Sequence, residues 1–200
     1  MVTTNKPDNF RSELEILYGA LCSGLLQEVR RRSLANLISG QYDFTLTNER
    51  GEQGIVPLLG AHLQSIGFIV KYESYFNKTS PNLRPDSRVW LPASHKFIFL
   101  ELKMTGWGDS GEEYYWTDSI DDMNKLNALT GDDSFNGFLS IGFSKPKESL
   151  NQLENGFNKL SSNVTTKFRS YEKIGIERIN LLEMDRHTPY AVIGLWFRKQ

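Results

Sequence analysis

Residues 85–104 read PDSRVWLPASHKFIFLELKM, and the period of this stretch decides what the rest of the chain is built around. From 96 to 103, Phe97 and Phe99 alternate with Ile98, Leu100 and Leu102, so a strand here buries both of its faces. Glu101 and Lys103 continue the Phe97 and Phe99 face. An ionised group there, away from water, is costly unless it is paired or binds a metal. With 92–95 as the turn, Leu91 pairs with Lys96, Trp90 with Phe97 and Arg88 with Phe99, and Asp86 falls opposite Glu101. Two carboxylates and an amine then meet at one end of a sheet. The same residues admit a plainer reading, an exposed hairpin with a cross-strand acid pair and a Glu-x-Lys salt bridge beside it.

Pro85-Asp86, fourteen intervening residues, and Glu101-Leu102-Lys103 together resemble the signature of the PD-(D/E)xK nuclease superfamily. The resemblance covers roughly residues 52–143. It implies an α/β, restriction-endonuclease-like three-layer fold with a central mixed β-sheet flanked by helices. It further implies that Asp86 and Glu101 ligate one or two divalent cations, that the carbonyl of Leu102 is a further ligand, and that Lys103 orients or activates the attacking water. Mg2+ is the implied cofactor, with Mn2+ as its substitute. In that family the first core helix often carries a glutamate facing the site, for which Glu52 is the first candidate here and Glu49 the second. Either acid also reads as one that stabilises a helix N-terminus.

The chain has 200 residues, 39% of them hydrophobic, and a formal net charge of −1. That is enough for one domain with a sizeable core, taken as residues 1–200, with a helix at 10–38 and the part from 147 to 200 as additions to the core. The near-zero charge argues against a protein that coats nucleic acid indiscriminately. It leaves room for a nuclease, whose bound cations supply charge against the phosphate. No apolar run is long enough to span a bilayer and residues 1–9 lack a signal-like apolar core, so a cytoplasmic protein without membrane contact is expected. Cys22 lies among leucines at helical spacing and reads as a small core residue.

In chain order, Leu14, Leu17, Leu21 and Leu25 give the 10–38 helix an apolar stripe that packs on the core or on a second copy. Arg30, Arg31 and Arg32 read as a solvated face or as a phosphate-contacting patch. A short strand is expected at 41–47, then a helix over 52–66 closed by Gly67 and complicated by Pro57. His62 within it reads as a surface or partly buried residue. A strand at 68–76 and a loop at 77–84 lead to Asp86, and His95 sits exposed in the hairpin turn. Residues 105–116, with glycines among Trp107, Tyr114, Tyr115 and Trp116, read as an aromatic-bearing loop able to stack on bases or to fasten itself to the core. A helix at 118–129 capped by Thr117 or Asp118 follows, with Lys125 the residue matching the family's habit of a basic group near the site and otherwise a solvated lysine. The remainder reads as a turn at 131–136, a strand at 137–143, a helix at 147–168, and strands at 174–184 and 190–197 around a turn that holds His187.

The function expected from this reading is a metal-dependent endonuclease that hydrolyses phosphodiester bonds in DNA, with a homodimer as one route to cutting both strands. The alternatives are a catalytically inactive nucleic-acid-binding or assembly protein on the same fold, and a nuclease acting on RNA or structured junctions.

Overall fold

The computed structural model describes residues 9–39, 52–72, 85–105, 111–129, 134–143, 150–180 and 190–198. The strand expected at 41–47, Glu49, the 77–84 loop and His187 lie outside them. Ten elements follow in order: α1 (Asn9–Ser39), α2 (Glu52–Ser65), β1 (Ile69–Tyr72), β2 (Ser87–Leu91), β3 (Lys96–Thr105), α3 (Gly111–Ala128), β4 (Ser134–Phe143), α4 (Leu150–Lys167), β5 (Tyr171–Asn180) and β6 (Tyr190–Arg198).

The six strands form one mixed sheet in the order β1-β2-β3-β4-β6-β5. β1, β2 and β3 are an antiparallel meander, β4 runs parallel to β3, and β6 is antiparallel to both β4 and β5. The parallel step needs a crossover, which α3 supplies. Side chains alternate between two apolar layers. Ile98, Leu100 and Leu102 of β3 join the α1 and α2 residues Leu14, Leu17, Leu21, Leu25, Ile55, Leu59 and Leu63 on one face. Phe99 joins Met123 and Leu126 of α3, Leu129 just after it, and Leu153, Phe157 and Leu160 of α4 on the other. The protein is thus α/β, with helices on both faces of its sheet, and the leucine stripe of α1 packs on the chain's own core.

α2 ends where Gly67 takes a φ of 102°. The amides of Gly67 and Phe68 bond back to the carbonyls of Gln64 and Leu63 at 3.1 and 3.0 Å, a left-handed stop that glycine adopts without a Cβ clash. α2 runs through Pro57, whose carbonyl accepts the Tyr72 hydroxyl at 3.1 Å. Gly137 of β4 is required by packing, since a Cβ there would come within 2.7 Å of the Leu100 side chain.

Several expected boundaries are corrected. α3 begins at Gly111, so Tyr114, Tyr115 and Trp116 belong to a helix and Thr117 and Asp118 lie inside it instead of capping it. From Ser119 on, α3 packs onto the sheet through Met123 and Leu126. β4 begins at Ser134, because Phe135 is buried and Asn136 donates to the Leu126 and Leu129 carbonyls at 2.6 and 3.0 Å, closing the end of α3. β5 starts at Tyr171, three residues before the expected 174. Arg32 is not part of a solvated face: it is buried against Glu28, which also holds Arg31.

Candidate active site

The hairpin register places the site. Leu91 pairs with Lys96, Trp90 with Phe97, Arg88 with Phe99 and Ser87 with Leu100. Asp86 therefore meets Glu101 just beyond the last paired residue of β2. Two hydrogen bonds tie them crosswise: the Asp86 amide donates to Glu101 Oε2 at 3.3 Å, and the Leu102 amide donates to Asp86 Oδ2 at 2.7 Å. The pairing is the one that a turn at 92–95 sets, and a slip by one residue would part Asp86 from Glu101.

Glu101 is only 3% exposed. Lys125, on the inner side of α3, donates to its Oε1. One helical turn earlier, Asp122 pairs with Lys103 at 3.7 Å. Spacing of three residues puts Asp122 and Lys125 on one helix face, and the alternation of β3 puts Glu101 and Lys103 on one sheet face. Two ion pairs then bridge sheet and helix, each joining an acid of one element to a lysine of the other. Lys125 is accordingly not a solvated surface lysine.

The charges do not balance at Glu101. Burial, and next the Asp86 carboxylate, push its carboxyl up to about 8, against the opposing pull of Lys125. A buried acid packed against a second carboxylate holds its proton into the neutral range, since removing it adds a charge that the surroundings poorly solvate. The Asp86 and Glu101 carboxyls offer oxygen ligands, which is the chemistry that Mg2+ and Mn2+ take.

Of the residues named from sequence, Asp86, Glu101, Leu102 and Lys103 share one sheet end. Glu52 opens α2 by its backbone, and its side chain lies outside the described residues. His62 is partly buried and His95 is exposed in the turn with φ 54°. Asp122 is the site residue that sequence reasoning does not find: its only signal is its place three residues before Lys125 on a helix with Met123 and Leu126 as its apolar side. Cys22 packs against the core with its thiol pushed up to about 11 by burial, which leaves it a poor nucleophile. Among the described residues, no helix is long and apolar enough to cross a membrane. Compared with family models, with curated proteins and with solved structures, the chain matches none.

Proposed function

We propose that this protein is a Mg2+-dependent endonuclease that hydrolyses phosphodiester bonds in DNA, on a restriction-endonuclease-like fold of the PD-(D/E)xK type. One observation carries the reading: two carboxylates, Asp86 and buried Glu101, converge on adjacent strands with Lys103 on the same face. The succession α2, β1, β2, β3, α3, β4, with an antiparallel meander feeding a parallel crossover, supports the fold assignment.

In this mechanism Asp86, Glu101 and the Leu102 carbonyl would hold the divalent ion, which when bound supplies positive charge against the phosphate and the leaving oxygen. The hydrogen bond from the Leu102 amide orients the Asp86 carboxylate. The Asp86 amide does the same for Glu101. Lys103, held by Asp122, offers an ammonium to the attacking water or to charge gathering on the phosphate oxygens. Water attacks phosphorus, the ester oxygen leaves, and a proton passes from the water to the departing oxygen.

The ion pair from Lys125 to Glu101 favours a second reading, in which the site is neutralised from within and the protein binds nucleic acid without cutting it. One experiment separates the two. Purified protein is incubated with duplex DNA, single-stranded DNA and RNA, with Mg2+, Mn2+ or chelator. Cleavage with metal, absent with chelator and in Asp86→Ala, supports the enzyme. Metal binding without cleavage of any substrate supports the binding protein, and cleavage of RNA alone shifts the substrate class. Sedimentation with and without DNA tests for the homodimer.

A further inference from the structure

Glu101 has both oxygens engaged, and by partners of different kinds. Oε2 accepts from the Asp86 amide, which the strand pairing fixes in place. Oε1 accepts from Lys125, a flexible side chain that is 26% exposed and so has a path to water. The donor of the first bond is backbone held by the hairpin, whereas the donor of the second can leave by rotamer changes of its own side chain. The amine of Lys103 pairs with Asp122 at 3.7 Å.

We propose that Lys125 is the site's built-in counter-cation, occupying Glu101 in the metal-free protein and releasing Oε1 when a divalent ion binds. The proposal rests on the reading that Asp86 and Glu101 hold such an ion. Lysine suits this role because a compact ammonium on a flexible stem neutralises a carboxylate yet yields to a stronger charge, whereas an arginine fork would grip both oxygens. Lys125 is thereby a positioning residue. It keeps the Glu101 side chain in the geometry that the ion later uses.

The test is a Mg2+ titration by calorimetry on wild type, Lys125→Gln and Lys125→Arg, with circular dichroism to confirm folding. Loss of the competing charge-assisted hydrogen bond should tighten Mg2+ binding by about tenfold in Lys125→Gln, while Lys125→Arg should weaken it. A merely structural lysine gives the opposite order, with arginine near wild type and glutamine weakest. In wild type, side-chain ammonium NMR reads the release directly, with the Lys125 signal assigned by its loss in Lys125→Arg. That signal should move on Mg2+ addition and not on addition of matched NaCl. Equal affinity in all foldable variants, or an unmoved Lys125 signal beside ordinary Mg2+ binding, overturns the role of Lys125 and leaves the metal site standing. If wild type binds no Mg2+ and Asp86→Ala changes nothing, the metal site itself falls and this proposal with it.

Discussion

The β2–β3 hairpin has a buried glutamate at each end, and the two are satisfied in different ways. At the turn, Glu13 of α1 accepts from the Ala93 and Ser94 amides at 2.6 and 2.7 Å. At the open end, Glu101 accepts one backbone amide and one lysine, with a second carboxylate beside it. Backbone donors carry no net charge and cannot move away, so Glu13 is a clasp that joins helix to hairpin. Glu101 sits where like charges meet and a mobile cation stands in the balance. Burial alone therefore does not mark a site; the kind of partner does.

The largest expected effect breaks the open end. Asp86→Ala or Glu101→Ala should abolish Mg2+ binding and lower cleavage at least about a thousandfold. Lys103→Ala should keep the metal and lose rate by about a hundredfold, because its amine acts on the water or on phosphate charge. Calorimetry and single-turnover cleavage, run on each variant, separate the two outcomes. Cleavage that persists in all three variants would falsify the assignment of the chemistry to this hairpin.

Next in size is a pH effect confined to Glu101. Below about pH 4.5 both folded and unfolded chains hold its proton; between that and about 8 the folded chain alone holds it. The folded state then binds more protons, so the stability that this group contributes falls as pH rises and is fully lost above about 8. The loss is on the order of 5 kcal/mol for a carboxyl displaced from 4.5 to about 8. Urea unfolding of wild type and Glu101→Gln between pH 5 and 9 should show a declining curve for the first and a flatter one for the second. Saturating Mg2+ should offset the decline in wild type, since the ion favours the ionised carboxylate.

How far this contrast is legible in sequence follows from where each partner lies. The hairpin register is readable because a turn at 92–95 sets which residues of the two strands face each other, and the strands pair that way. Asp86 opposite Glu101 comes with that register. Lys125 and Asp122 are not readable as a pair of site residues, because their approach depends on how α3 rotates over the sheet, which the pattern of Met123, Leu126 and Leu129 fixes only to within a helix face. The start of α3 at Gly111 is hidden by Gly106, Gly108 and Gly111, whose composition reads as a loop. Glu13 gives no signal at all. On a stripe of leucines it reads as a surface acid, and its partners are backbone amides 80 residues away that carry no residue identity.

The smallest effect sharpens the comparison most. Glu13→Ala removes two charge-assisted hydrogen bonds to the turn, at a cost of about 2 kcal/mol. The Ala93 amide is at an exposed residue and regains water in part, which keeps the loss below that of stranding two buried donors. The register should survive, because Val89, Leu91, Ile98 and Leu100 hold it from one core layer and Phe99 from the other. A hairpin that keeps its register keeps Asp86 opposite Glu101. Glu13→Ala should therefore lower the urea midpoint while leaving Mg2+ affinity within about twofold of wild type, since distant sites without shared partners act independently. Glu13→Gln, with one neutral acceptor oxygen in place of two charged ones, should fall between the two in stability. If Mg2+ affinity drops along with the urea midpoint, the clasp and the site are coupled through the strands, and the division between a structural end and a chemical end of the hairpin is wrong.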